Sequence, residues 1–257
     1  GSVYKSFSRP IITATSGNTG PNYFLSFVAV MDDGSKSIIQ KSSTTSLEEV
    51  LATGDKLGAK TVADLSISQM GALAVGCVAE MRKGSRKRFN SVFVLSAASI
   101  LDEGNLRDGT RFEGTGRKVK RIFAPPAISF QKSFVALQFK NQNFAIAARD
   151  VFGAPDIVIE SGSPAPGLPD ETIQSFGPPV TNARIPIPGP EAILSVVRLS
   201  SGRSALWAQI FKFEERTLER KLVLIEGSSG DGQSLVLSSV IPLKINNNGT
   251  LLLRATL

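Results

Sequence analysis

The sequence predicts an all-β protein, an antiparallel β-sandwich or barrel with one or two short helices. Three observations carry this. Apolar residues fall in strand-sized runs such as Tyr23 to Met31 and Ser91 to Ser99, and turn chemistry such as Asp32-Asp33-Gly34-Ser35 separates the runs. The last quarter of the chain, from Ala192 on, reads as closely spaced strands with Gly- and Asn-rich turns. The expected organisation is two β layers or subdomains: residues 3–152 as an N-terminal β domain with basic loops, 153–190 as a Pro-rich linker or strap, and 191–257 as a C-terminal antiparallel meander.

Taken in order, Ile11 to Thr15 is short and β-branched and reads as a strand. Tyr23 to Met31 and Lys36 to Ser42 form the clearest hairpin. Ser46 to Thr53 reads as a two-turn helix. Ser46 lies three residues before Glu49, the spacing of a capping box; Leu47, Val50 and Leu51 share a face, and Gly54 ends it. Thr61 to Ser68 alternates apolar and polar residues, as a half-buried strand does. Gly71 to Met81 is dense in Ala and Gly, which suits close approach by a packed layer or a neighbouring subunit, and a tightly packed core strand is favoured. Arg82 to Arg88 is then a hairpin tip and Ser91 to Ser99 the returning strand. Leu101 to Gly116 reads as a surface loop. Arg117 to Arg121 is extended, with Arg117, Val119 and Arg121 on one face and Lys118 and Lys120 on the other. Such a run suits an edge strand whose charges block pairing, or a strand lying over an acidic partner.

Ser133 to Ala148 fits a second hairpin around Lys140-Asn141-Gln142-Asn143, and a single helix over Phe134 to Val151 fits the periodicity too; the β-rich surroundings favour the hairpin. Gly153 to Pro190 holds nine prolines. Within it, Asp156 to Glu160 reads as a strand and Asp170 to Ser175 as a short helical turn. Five strands follow: Ala192 to Leu199, Ala205 to Phe213, Lys221 to Glu226, Ser234 to Ile245 and Thr250 to Leu257. Trp207, the only tryptophan, falls mid-strand and reads as core.

Composition removes several functions. A chain that is 42% hydrophobic and 20% charged folds. No run approaches 18 consecutive apolar residues, so no transmembrane segment is expected. Gly1-Ser2 reads as a cloning remnant. There is no histidine and one cysteine, Cys77. Zinc sites of Cys and His, histidine-based triads and an internal disulfide are therefore excluded. Gly114-Thr115-Gly116-Arg117-Lys118 lacks Walker spacing, and Gly227 to Gly232 lies between strands rather than before a helix. Asp32-Asp33 and Glu214-Glu215 are turn residues. No catalytic, metal-binding or cofactor set is expected.

What remains is charge. Arg82 to Arg121 holds eleven basic and four acidic residues, an excess equal to the whole net charge of +7. A charge confined to one segment is an electrostatic footprint for a polyanion. The candidate nucleic-acid or phosphate-binding residues are Arg82, Lys83, Arg86, Lys87 and Arg88 at the tip, with Arg117, Lys118, Lys120 and Arg121 on the second run. Phe89, Phe112 and Phe123 lie beside these cations, where rings stack on unpaired bases; each also fits a core position.

In general character (β-sandwich, basic charge, few cysteines, a long proline-rich strap) the chain resembles viral coat and matrix proteins. That resemblance implies a non-enzymatic structural protein of the host cytoplasm or virion, a homo-oligomer, whose partner is RNA bound without sequence preference or an anionic membrane surface. Two alternatives stand beside it: a viral movement-type or other single-stranded nucleic-acid transport protein, and a carboxylate-dependent enzyme.

Overall fold

The computed structural model describes residues 3–8, 10–17, 20–67, 75–84, 87–96, 99–113, 115–129, 132–150, 156–182, 191–212, 217–227, 239–245 and 251–256. Its secondary structure is strand, in antiparallel sheets, as the sequence predicts. Sheet 1 comprises β1 (Tyr4–Phe7), β2 (Ile11–Gly17), β3 (Gly20–Met31), β4 (Lys36–Ser42) and β5 (Glu48–Ala52). Sheet 2 runs through β6 (Lys56–Leu57), β7 (Lys60–Ile67), β8 (Val75–Lys83), β9 (Lys87–Ser96) and β10 (Ser99–Arg107). Sheet 3 holds β11 (Val119–Ile122), β12 (Ala127–Ile128), β13 (Lys132–Phe139), β14 (Phe144–Asp150) and β15 (Asp156–Glu160). Sheet 4 holds β16 (Pro164–Ala165), β17 (Leu168–Phe176), β18 (Val180–Thr181), β19 (Glu191–Leu199), β20 (Ser204–Lys212) and β21 (Thr217–Ile225). A final pair is β22 (Ser239–Ile245) with β23 (Leu251–Thr256).

The period of two along each strand feeds both faces of the sheets with apolar side chains. Cys77, Ala79, Phe93 and Leu95 of sheet 2 pack on Val28, Ile38 and Leu51 of sheet 1. Their neighbours Val78 and Val92 point the other way, onto Val135, Leu137 and Phe139 of sheet 3. The opposite face of sheet 3, with Phe134 and Ile146, meets Ile173, Val197 and the fully buried Trp207 of sheet 4. Ala192, Leu194, Leu206 and Ala208 form the far face of sheet 4, and β22 packs beside β18, β19 and β20. The sheets thus stack face to face in chain order, each largely a meander, which is how propeller blades pack. Inner sheets covered on both sides explain the nearly continuous apolar runs at β8, β9 and β13.

The close approach expected from the small residues before Met81 occurs at Gly76. A Cβ there would lie 2.1 Å from the Pro126 carbonyl oxygen, so sheets 2 and 3 touch backbone to backbone. Residues 68–74 of that run lie outside the described residues.

Three element assignments are corrected. Residues 46–53 are not helical: β5 pairs with β4 through Ile38↔Leu51 and Ile39↔Glu49, burying Leu51. Two turns of helix are marginal alone, and a neighbouring strand edge offers the same backbone a complete ladder. Asp170 to Ser175 likewise belongs to β17, held by Ile173↔Leu199. The expected loop from Leu101 begins as β10, which pairs with β9 across two register shifts. The proline-containing stretch carries β15 to β18 among its described residues. β15 joins β14 in sheet 3, and β16 to β18 join sheet 4. Residues 132–150 form the hairpin, not the helix. Among the described residues no helix is long and apolar enough to cross a membrane.

Candidate functional site

The hairpin tip is built by an unbroken register between β8 and β9, from Val75↔Leu95 to Lys83↔Lys87. Gly84, at φ 64°, begins the turn; Arg86 lies outside the described residues. Alternation then assigns the cations to faces. Lys83 follows Met81 on the sheet 1 side, and Arg82 follows Val78 on the sheet 3 side. Across the strands Arg82 faces Arg88, and Lys83 faces Lys87, all four exposed. Like charges directly opposite one another destabilise a sheet. Arg88 has a carboxylate, Glu80, at 2.9 Å. Among the described residues Arg82, Lys83 and Lys87 have no ion-pair partner.

The second basic run lies on β11, an edge strand of sheet 3 paired to β13. The expected two-faced alternation is broken by a register shift between Val119 and Arg121. One extra residue in the strand allows Val119 and Ile122 both to be buried, and turns Lys120 and Arg121 both outward. Arg121 therefore does not share a face with Val119. Its guanidinium lies 5.5 Å from the centroid of Phe123, and Lys120 donates to Gln142 Oε1 at 2.9 Å. Lys118 is exposed, bridged through its backbone to Arg111.

Arg117 has a different task. It stacks on Phe139 at 4.0 Å from the ring centroid and pairs with Glu160 at 2.5 Å, tying the start of β11 to β15. The guanidinium bond, against the effect of burial and with help from Asn143, holds Glu160 below the usual carboxylate range. Among the eight candidates that are described, Arg117 is the one already neutralised in a half-buried setting.

The two basic runs sit in different sheets, yet Asp108 joins them. Its carboxylate accepts from the backbone N–H of Asn90 on β9 at 2.9 Å and of Ile122 on β11 at 2.8 Å. The Asn90 side-chain amide donates to the Ile122 carbonyl at 3.1 Å. Burial pushes the Asp108 carboxyl above its usual range, while the two amides and Arg121 pull it back. Arg88 lies two residues from Asn90, about 7 Å along the strand, and Arg121 is next to Ile122. The tip and the edge strand therefore adjoin. A surface of this kind attracts anions by charge and hydrogen-bond donors. Among the described residues no group of acids and cysteines is placed to hold a metal ion.

No protein-family model and no curated protein matches the chain. Among solved structures it is similar to the fucose-specific lectin of Aleuria aurantia, at 13% identity and a TM-score of 0.38, covering 88% of this chain and 64% of that one. A mutant form of that lectin in complex with Fucα1-6GlcNAc gives 14% identity and a TM-score of 0.38, covering 84% of this chain and 62% of that one. The catalytic domain of the Coprinopsis cinerea GH62 α-L-arabinofuranosidase gives 10% identity and a TM-score of 0.34, with 96% and 80% covered. The chain spans less than two thirds of the lectin's length. These likenesses transfer no site residue to this chain.

The three phenylalanines divide. Phe89 and Phe112 are core, 9% and 3% exposed. Phe112 packs edge-on to Phe139 and anchors the 108–118 loop. Phe123 is exposed and stacks on Phe144. Two cations outside the candidate set, Lys60 and Arg107, gather over Phe89 at 5.8 and 5.7 Å from its centroid. Their convergence from β7 and β10 has no signature in local sequence.

Proposed function

We propose that this chain is a non-enzymatic, self-associating protein of viral coat or matrix character. On this reading it binds a polyanion, RNA backbone or an anionic membrane, through the joined surface of the β8–β9 tip and β11. The observation that carries the reading is the pair of cross-strand like-charge contacts, Arg82 opposite Arg88 and Lys83 opposite Lys87. The Lys83–Lys87 pair costs the fold a few tenths of a kcal/mol, the Arg82–Arg88 pair is partly offset by Glu80, and phosphate oxygens laid over the tip turn the remaining cost into attraction. Exposed cations on an open surface bind phosphate by charge and counterion release rather than by base identity.

The test is retention of the chain on single-stranded RNA and on acidic liposomes across a salt series, for wild type and an Arg82→Ala, Lys87→Ala, Arg88→Ala variant. Removing three phosphate contacts is expected to lower the slope of log K against log salt by about 2 for single-stranded RNA. An unchanged slope and affinity on both supports sinks the proposal. Retention on RNA alone gives the coat-like reading, and on liposomes alone the matrix-like one. Self-association is read from sedimentation, where a single monomeric species at all concentrations removes that part.

A further inference from the structure

The turn between β6 and β7 overhangs a cleft of about 370 Å³ on the sheet 1 side of sheet 2. Leu57 pairs with Lys60, leaving Gly58-Ala59 as a two-residue loop, and Gly58 takes φ 61° at its first position, as a type II′ turn requires. This tight turn brings Lys56 and Lys60 to the same cleft, whose walls include Leu57, Met81, Ser91 and Phe93. The volume lies within the roughly 300–1,000 Å³ of small-molecule sites, and the mixture of apolar wall and few polar groups is theirs too.

The charged side chains that line the cleft are both cations, Lys56 and Lys60. Lys60 shares the Phe89 ring with Arg107. The acids of β7 and β8 are engaged elsewhere, Asp64 with Lys36 at 2.6 Å and Glu80 with Arg88 at 2.9 Å. Among the described residues Lys56, Lys60, Lys83 and Arg107 have no carboxylate partner. Burial lowers the pKa of Lys60, and Arg107 and Lys83 lower it further. An anion seated beside Lys60 reverses that repulsion.

We propose that this cleft is a binding site for a single tetrahedral oxyanion, a phosphate or sulfate monoester, carried on a ring-sized apolar body. Lys56 and Lys60 take the anion, with Arg107 and Lys83 supplying field, and Leu57, Met81 and Phe93 cover the body. Charge-assisted bonds to an oxyanion are the strong class of hydrogen bond, and a partly enclosed site screens them less than open surface does. The cleft lies on the opposite side of the hairpin from Arg82 and Arg88 and shares with the polyanion surface only Lys83, which supplies field here and no direct contact.

Calorimetric titration of the full chain with phenyl phosphate, phenyl sulfate and phenol tests this. One ester is expected to bind per chain, with phenol at least about tenfold weaker. Lys56→Gln and Lys60→Gln are each expected to weaken the ester about tenfold or more, with Lys60→Arg recovering most of the loss. The Arg82→Ala, Arg88→Ala variant keeps affinity within about twofold. A preference between the two esters identifies the oxyanion. Equal binding of phenol and the esters overturns the proposal, as does unaltered affinity in both Gln variants. Loss in the Arg82→Ala, Arg88→Ala variant equal to that of Lys60→Gln also overturns it, because binding then belongs to the hairpin surface.

Discussion

Replacing Gly76 with alanine places a methyl carbon 2.1 Å from the Pro126 carbonyl oxygen and 2.5 Å from its ring, whereas real Cβ contacts almost never fall below 3.0 Å. The obstacle is backbone, so relief requires a shift of about 0.9 Å between sheets 2 and 3 along their length. Neither side yields easily. Val75 and Cys77 flank the glycine at 0% exposure, and Ala127 follows the proline at 3%. Overpacking of a closed core costs about 1–3 kcal/mol, and a clash with backbone belongs at the upper end, about 3 kcal/mol. At about 2–4 °C per kcal/mol for a chain of this size, Gly76→Ala is expected to lower Tm by about 6–12 °C. Urea unfolding followed by Trp207 fluorescence gives the same quantity as a shifted midpoint at unchanged slope. Gly177→Ala, whose Cβ meets Val196 oxygen at 3.4 Å, is the matched control and is expected to lose less than about 1 kcal/mol. A loss below about 0.5 kcal/mol for Gly76→Ala refutes the close stacking of sheets 2 and 3.

Two further outcomes follow from the ties around the basic surface. Asp108→Asn replaces one accepting oxygen with an amide that points a donor at a backbone N–H, and is expected to cost about 1–3 kcal/mol in urea unfolding; wild-type stability removes the clamp from the account. Glu160 has a folded pKa below its unfolded value, so its contribution is present above that value, near 4.5, and is lost as pH falls through the depressed folded one. Glu160→Gln is expected to flatten the fall in urea midpoint below pH 5, and an unaltered pH profile rules out the Arg117–Glu160 tie as its source.

Strand-level order was legible where local chemistry and long-range pairing agree. The β3–β4 hairpin, the β13–β14 hairpin and the basic tip between β8 and β9 each have an apolar run on both sides of turn residues. It was illegible where a local motif competes with a distant edge. Ser46 and Glu49 spell a helix start, yet β4 lies within reach and its ladder prevails. The face pattern of Arg117 to Arg121 failed for a related reason, since a bulge at Lys120 is set by the fit of Val119 and Ile122 into the core. Charge told where cations lie in the chain, but not which are occupied. Glu160, 43 residues on, removes Arg117 from the exposed set, and the cluster of Lys60, Lys83 and Arg107 arises from three strands folding together.

Cys77, the chain's only cysteine, is sealed at the contact of sheets 1 and 2, and burial pushes its thiol far up. A thiolate is the reacting form, so a thiol reagent reaches this sulfur only when that contact parts. The labelling rate of the folded chain therefore works as a clock for one seam of the stack. With opening and closing fast relative to labelling, the ratio of that rate to the rate in the unfolded chain is the opening equilibrium itself. A single side chain thus separates local parting of the first two sheets from unfolding of the whole.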